Sequence, residues 1–433
     1  MEYMILINQF SKILFSISIM DIEKLLFAKQ DLSSLSKRNL ITLLQFYLPD
    51  INIDRSDLLW LLTLLIHSKQ ILQKDITSKR GTMETGEPSL HAILRESFRL
   101  LQEKVEICNV STRLRSIQIL PAEAGSSDTL NLFVQYLDNE GTSENVFIKA
   151  WFGSGPFHWE LGLEAKIVST VVEEILKEGI SPNFAPFLAY AVCPGYMKAL
   201  RKKSVELYHR ALEVLKAKYE RRNIRFPSEE KLLLEDFHVL ATKRITPSVS
   251  LRSFSQIKTF GSWIALQIIY AAMVLRDRGV IHGDLHIENI LIWTPPRTDE
   301  KLLFCAGENS SLWFSGISQF VAVLIDWDKA KTKEISERFG GSFQVDADIN
   351  TPTIMSTVKY AFGHGTGWSK RMQIIVNSRN NHPPTFEEML LDSAFDSIRV
   401  SPFQNWKIDE KNIYARNNKV RALVLREISR SSV

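Results

Sequence analysis

The chain has 433 residues, 45% of them apolar and 24% charged, with a formal net charge of +4. That length holds two or three domains with a large buried core, and the composition is that of an ordinary globular protein. So small a net charge argues against overall electrostatic recognition of nucleic acid and leaves only local basic clusters for that purpose.

Cys108, Cys193 and Cys305 are odd in number and isolated in sequence. The pattern suits a reducing compartment and suggests neither a disulfide framework nor a zinc site, so a cytoplasmic location is expected. The stretch from Met4 to Met20 is apolar but is interrupted by Asn8, Gln9 and Lys12. It lacks a basic leading region and falls short of a span of roughly 20 residues, so no stable membrane insertion is expected. Met20, followed by Asp21-Ile22-Glu23-Lys24, is an alternative beginning of the folded protein.

From residue 20 to 75 the apolar spacing predicts a small helical module, with Leu40, Leu43, Leu44, Phe46 and Tyr47 on one face and Pro49-Asp50 as a stop. Residues 69–87 turn polar and read as a linker. A helix is predicted over Leu90–Val105. Strands follow at Ile117–Leu120, Leu130–Tyr136 and Asn145–Phe152, where β-branched and aromatic residues lie between turn signals as in an antiparallel meander. Lys149 lies on the third of these between apolar neighbours, a position that is costly to bury without a carboxylate or phosphate partner. Short strands are predicted at Pro182–Ala191 and Phe237–Ile245. Between them a helical insertion, Met197–Ile224, carries Lys198, Arg201, Lys202, Lys203, Arg210 and further cations. Its basic side is either a solvated face or a surface for an anionic partner. Thr246–Leu251 reads as a hinge, Ser255–Asp277 as a long helix, and Ile290–Trp293 with Val321–Ile325 as a hairpin whose 27-residue connection, with Pro295-Pro296 and Gly307-Glu308-Asn309 marking loops, is expected to be an insertion. Gly363–Gly367 reads as a turn between helices, and a mildly basic final helix is predicted beyond Lys407.

The most informative stretch is His282-Gly283-Asp284-Leu285-His286-Ile287-Glu288-Asn289, followed by an apolar run that ends in Ile325-Asp326-Trp327-Asp328. An isolated Asp precedes two groups with hard oxygens, Asn289 and Asp326, that bracket a strand-rich interval; phosphoryl transfer with a magnesium ion needs such a set. The octapeptide resembles the catalytic loop of the protein-kinase-like superfamily, H-R-D-x-x-x-x-N, keeping His, Asp and Asn at matching offsets. Gly283 stands in place of the usual Arg, His286 where many protein kinases have Lys, and Asp326-Trp327-Asp328 in place of D-F-G. The spelling H-G-D-L-H-x-x-N is also similar to aminoglycoside and choline kinases and to divergent serine/threonine kinase-like proteins of large DNA viruses of eukaryotes.

The resemblance implies an α+β, bilobal protein-kinase-like fold: a small antiparallel β-sheet lobe and a larger, mainly helical lobe, preceded by the helical N-terminal module. The expected division is 1–80 for extension and module, 81–110 for linker and leading helix, 111–247 for the smaller lobe with its insertion at about 196–230, and 248–433 for the larger lobe. It implies ATP and Mg²⁺ as cofactors. Lys149 would position the phosphates, with Glu164 as its partner and Glu160 as the rival for that place. Asp284 would orient the acceptor hydroxyl, and Asn289 and Asp326 would bind metal. The turn Ala122–Ser127, with Gly125, would be a phosphate-covering loop; an ordinary hairpin turn fits the same residues.

His286 is expected to pack or orient and His282 to brace the loop. Gly283 removes the Arg that many protein kinases use to dock a phosphorylated activation segment. If Asp348 anchors the following helix, the segment after Asp326 is short. The acceptor expected first is a protein serine or threonine; a small molecule is the alternative, and a pseudokinase scaffold the third reading. If the chain is viral, host cytoplasm or virion is its expected place.

Overall fold

The computed structural model describes residues 107–431 except 109, 111, 123–128, 138–142, 153–157, 308–311, 333–350, 363–366, 379–383, 401–407 and 417, and all of these belong to one compact unit, Gly86–Val433. The predicted N-terminal module, the Leu90–Val105 helix, Gly125 and Asp348 lie outside the described residues.

Period-two burial builds the first sheet. In β2 (Leu130–Leu137), after β1 (Leu114–Ile119), Leu130, Leu132, Val134 and Tyr136 are buried while Phe133 and Gln135 are not. β3 (Ser143–Phe152) turns Val146, Ile148 and Ala150 to the same core. A helical run follows: α1 (His158–Ile167), a π turn (Val168–Val172) and α2 (Glu173–Lys177). After β4 (Phe187–Pro194) come α3 (Tyr196–Lys203), α4 (Val205–Arg221) and α5 (Glu229–Leu234), then β5 (Asp236–Lys243). The strands pair antiparallel in the order β1-β2-β3-β5-β4.

The predicted helical insertion is divided at Ser204, which is extended and accepts from Leu207 N at 3.2 Å, a serine N-cap that starts α4. Tyr196, Leu200, Tyr208, Leu212 and Leu215 from α3 and α4 pack in the same core as β2 and β3. Part of the basic character is structural: Lys218 is buried, Lys203 donates to Leu114 O and Arg221 to Ala122 O. The remaining exposed cations alternate with Glu206, Glu213 and Glu220.

A second core surrounds α6 (Ile257–Asp277), reached through β6 (Ser248–Ser250). The segment read as a hinge is therefore fixed on this side, because β6 pairs with β8. α6 is long and apolar enough to cross a membrane, but it lies in the core, with every residue from Trp263 to Leu275 buried. Then follow β7 (Val280–Ile281), β8 (Ile290–Trp293), β9 (Lys301–Cys305), β10 (Trp313–Ile317), β11 (Val321–Leu324) and β12 (Lys331–Thr332). Helices α7 (Thr351–Phe362), α8 (Trp368–Ser378) and α9 (Phe386–Leu391) come next, and β13 (Arg399–Val400), β14 (Ile413–Ala415) and α10 (Asn418–Ser431) end the chain's described part. At Gly261 a Cβ would lie 2.3 Å from Ala361 O, so glycine sets how closely α6 and α7 approach.

The hairpin β8–β11 is antiparallel with Leu324 opposite Ile290, as its sequence predicts. The connection between these strands carries two strands of its own. β9 and β10 form their own hairpin in a sheet ordered β13-β10-β9-β14. The cysteine reading also needs correction: Cys108 and Cys193 form a disulfide between the segment before β1 and the edge strand β4, while Cys305 is not disulfide-bonded. Sequence separation hid the pair, since its two members stand 85 positions apart. The described residues thus form an α+β structure whose strands pair antiparallel except for β9 with β14.

Candidate active site

β3 alternates, so Lys149 leaves on the face opposite Ile148 and Ala150. Its side chain is nevertheless buried, at 3% exposure. Nζ lies 2.7 Å from Glu164 Oε2 on α1 and 2.8 Å from Asp326 Oδ1, just past β11. Glu164 Oε1 also accepts from Trp327 N at 3.3 Å, which ties α1 to the backbone beside Asp326. Burial opposes charge on Lys149, but Asp326 and Glu164 outweigh it and hold the lysine protonated well above its ordinary range. Burial likewise works against the Asp326 carboxylate, and Lys149 overcomes it and holds the carboxyl below its ordinary value. Glu164 is pushed up by burial against the pull of Lys149. The partner expected for Lys149 is thus Glu164, which the structure brings to it together with Asp326.

Asp326 itself has φ +65, a left-handed conformation that an L residue adopts at a cost. The cost is met by bonds on both sides: Leu324 N donates to Asn183 O, Ile325 N to Asn289 O, and Ala330 N to Trp327 O.

The loop between β7 and β8 holds the other groups. His286 N donates to Asp284 O, Asn289 N donates to His286 O, and Asn289 Nδ2 donates to Asp284 O at 2.9 Å. Thr357 of α7 anchors the loop by donating to Leu285 O. Because its amide nitrogen is engaged, Asn289 has Oδ1 as its ligand-capable atom. The bond from Ile325 N to Asn289 O brings Asn289 beside the strand end that carries Asp326.

His282 braces this loop, as expected. Its Nε2 donates to Ile325 O at 3.0 Å and its ring lies 4.5 Å from that of Trp327. A carbonyl oxygen only accepts, so Nε2 carries the proton. Burial lowers the pKa to about 4, which keeps the ring neutral. His286 orients: its Nδ1 accepts from Glu288 N, and its Nε2 is 3.7 Å from Asp284 Oδ2, beyond a hydrogen bond.

Sequence reasoning missed Lys329. Its Nζ lies 2.6 Å from Asp284 Oδ2. The signal was adjacent to the motif, in Asp326-Trp327-Asp328-Lys329, but nothing in the spacing says which way an exposed lysine turns. Two ammonium groups, Lys149 and Lys329, thus act electrostatically on four carboxylates, Glu164, Asp284, Asp326 and Asp328. The excess of negative charge and the oxygens of Asn289 and Asp326 fit a hard divalent cation. No cluster of three or more His, Cys, Asp or Glu fit to hold a metal occurs among the described residues. A magnesium ion would therefore take one or two protein oxygens and complete its shell with phosphate and water, as this ion usually does.

No protein-family model matches the chain, and no curated protein does. Among solved structures it is similar to a crystal structure of a kinase domain at 13% identity and TM-score 0.32, covering 59% of this chain and 67% of that one. It is also similar to the Rad53 kinase domain with SCD2, at 11% identity and TM-score 0.33, covering 73% of this chain and 97% of that one.

Proposed function

We propose that this chain is an ATP- and Mg²⁺-dependent phosphotransferase of bilobal, protein-kinase-like architecture that transfers the γ-phosphate to a hydroxyl, with protein serine or threonine as the favoured acceptor. One observation carries the reading: a buried lysine on a sheet strand bridges a helix carboxylate and a carboxylate 177 residues later, beside an Asp–Asn loop. A buried ion triad is an expensive way to hold a fold together. The expense is understood if Lys149 and Asp326 are kept for phosphate and metal. The H-G-D-L-H-x-x-N spelling supports a place among divergent kinase-like proteins such as those of large DNA viruses.

In this reading Lys149 binds the α- and β-phosphates and Glu164 fixes its direction. Asn289 Oδ1 and Asp326 hold Mg²⁺, which neutralises phosphate charge when bound. Asp284 accepts a hydrogen bond from the acceptor hydroxyl, aligns it, and takes its proton as the oxygen bonds to the γ-phosphorus and the bond to the β-phosphate oxygen breaks. Gly125 would cover the phosphates.

Gly283 favours a second reading, a small-molecule acceptor. A Cβ there would lie 1.9 Å from Lys329 O, so the arginine that docks a phosphorylated segment in many protein kinases has no room. Labelled γ-phosphate transfer separates the readings, with the chain itself, dephosphorylated casein, choline and kanamycin as acceptors. Label on protein that disappears in Asp326→Ala supports the first reading, and label on choline or kanamycin the second. Mg·ATP binding without transfer to any acceptor or to water would leave a scaffold and overturn both.

A further inference from the structure

Gly283 and Lys329 meet in one contact. Gly283 has φ +78, and its missing Cβ is where the Lys329 carbonyl sits. Downstream, β12 pairs with β7 so that Lys331 lies opposite Ile281; upstream, Ala330 N bonds Trp327 O. The backbone of Lys329 is therefore fixed from both sides against the loop that holds Asp284, while its side chain remains 55% exposed and reaches Asp284 Oδ2 at 2.6 Å. With His286 at 3.7 Å, Lys329 is the cation in hydrogen-bond contact with Asp284 among the described residues. Asp328 and Asp326 also act on it electrostatically and favour its charged form.

We propose that Lys329 is a catalytic cation of this site: held on Asp284 at rest, it moves to the oxygens of the phosphoryl group in flight. The inference rests on the phosphotransferase reading and adds a residue to it. Charge balance gives the reason. As the acceptor oxygen bonds to phosphorus, its proton passes to Asp284, which loses its negative charge, and the bond to the ADP leaving group breaks. Negative charge then resides on the transferring group and on ADP. An ammonium that has lost its carboxylate partner and carries a flexible four-carbon stem follows that charge without being deprotonated. Lys149 cannot do so, because Glu164 and Asp326 hold it in place.

The test compares wild type, Lys329→Met and Lys329→Arg for kcat, KM for ATP and Mg·ATP affinity by calorimetry, with casein and water as acceptors and thermal melts as a folding control. Lys329→Met is expected to lower kcat about 100-fold or more, the usual effect of losing one transition-state donor. Mg·ATP affinity should change less than about threefold, and arginine should restore at least about tenfold of the loss. Unchanged turnover in Lys329→Met overturns the inference and leaves the phosphotransferase reading intact. Faster turnover overturns it too and makes the contact an inhibitory plug on Asp284. A wild type that transfers phosphate to nothing overturns both.

Discussion

Lys149 meets its two carboxylates from opposite directions in the sequence, Glu164 just downstream and Asp326 far beyond. Lys149→Met would leave both acids buried beside each other without a cation, at a cost of about 3–5 kcal/mol. Adding Glu164→Gln should recover part of that loss, because the remaining charge is then single. Urea unfolding of both single variants and the double variant measures this; strict additivity, within about 0.5 kcal/mol, would sink the claim. His282 makes a pH prediction. Its folded pKa is about 4 against an ordinary 6.5, so between those values the unfolded chain binds a proton that the folded one refuses. Stability should fall as pH drops below about 6.5 and this contribution should be fully lost near 4, at up to about 1.4 kcal/mol per pH unit. His282→Gln should flatten the profile of urea midpoint against pH, and an equally steep profile in that variant would assign the loss to other groups.

Elements were legible where the signal is local. β2 and β3 alternate, the hairpin of β8 and β11 has two apolar runs, and α6 carries a long apolar face, so each lies near its predicted position. The motif loop and Lys149 were readable for the same reason: a polar residue in an apolar frame needs a partner. What failed depended on distant partners. The sheet that holds β9 is not legible because β14, which it pairs in parallel, lies more than a hundred residues later. The division of the helical insertion is not legible because Ser204 is an unremarkable helix residue until its side chain is seen capping α4. The Cys108–Cys193 bond is not legible in the sequence because its members stand 85 positions apart, one before β1 and one on β4. That bond should stabilise the first core by about 2–5 kcal/mol through the loop it closes. Thermal melts with and without reductant, against Cys193→Ser, check it; a reductant effect of equal size in Cys193→Ser would assign the effect elsewhere.

At the scale of the molecule, the site lies where the two cores meet. Lys149 comes from the sheet of the first, and Asp284, Asn289 and Asp326 come from strand ends and loops of the second. α1 joins them: Leu161 and Ala165 cluster with Trp151 and Leu240 of the sheet, Leu163 and Ile167 enter the second core, and Glu164 sits between. Rigid elements on three sides thus fix the charged groups, while Lys329 projects from a fixed backbone with a free stem. The sequence motif announced which residues belong together; the junction that collects them arises from packing around α1, whose two-sided burial no single helical face predicts. The most direct measurement is the rate at which wild type and Asp284→Asn remove the γ-phosphate from Mg·ATP in single turnover, at saturating enzyme. The account predicts equal Mg·ATP binding and a rate at least about 100-fold lower in Asp284→Asn; equal rates, with or without an added acceptor, would contradict it.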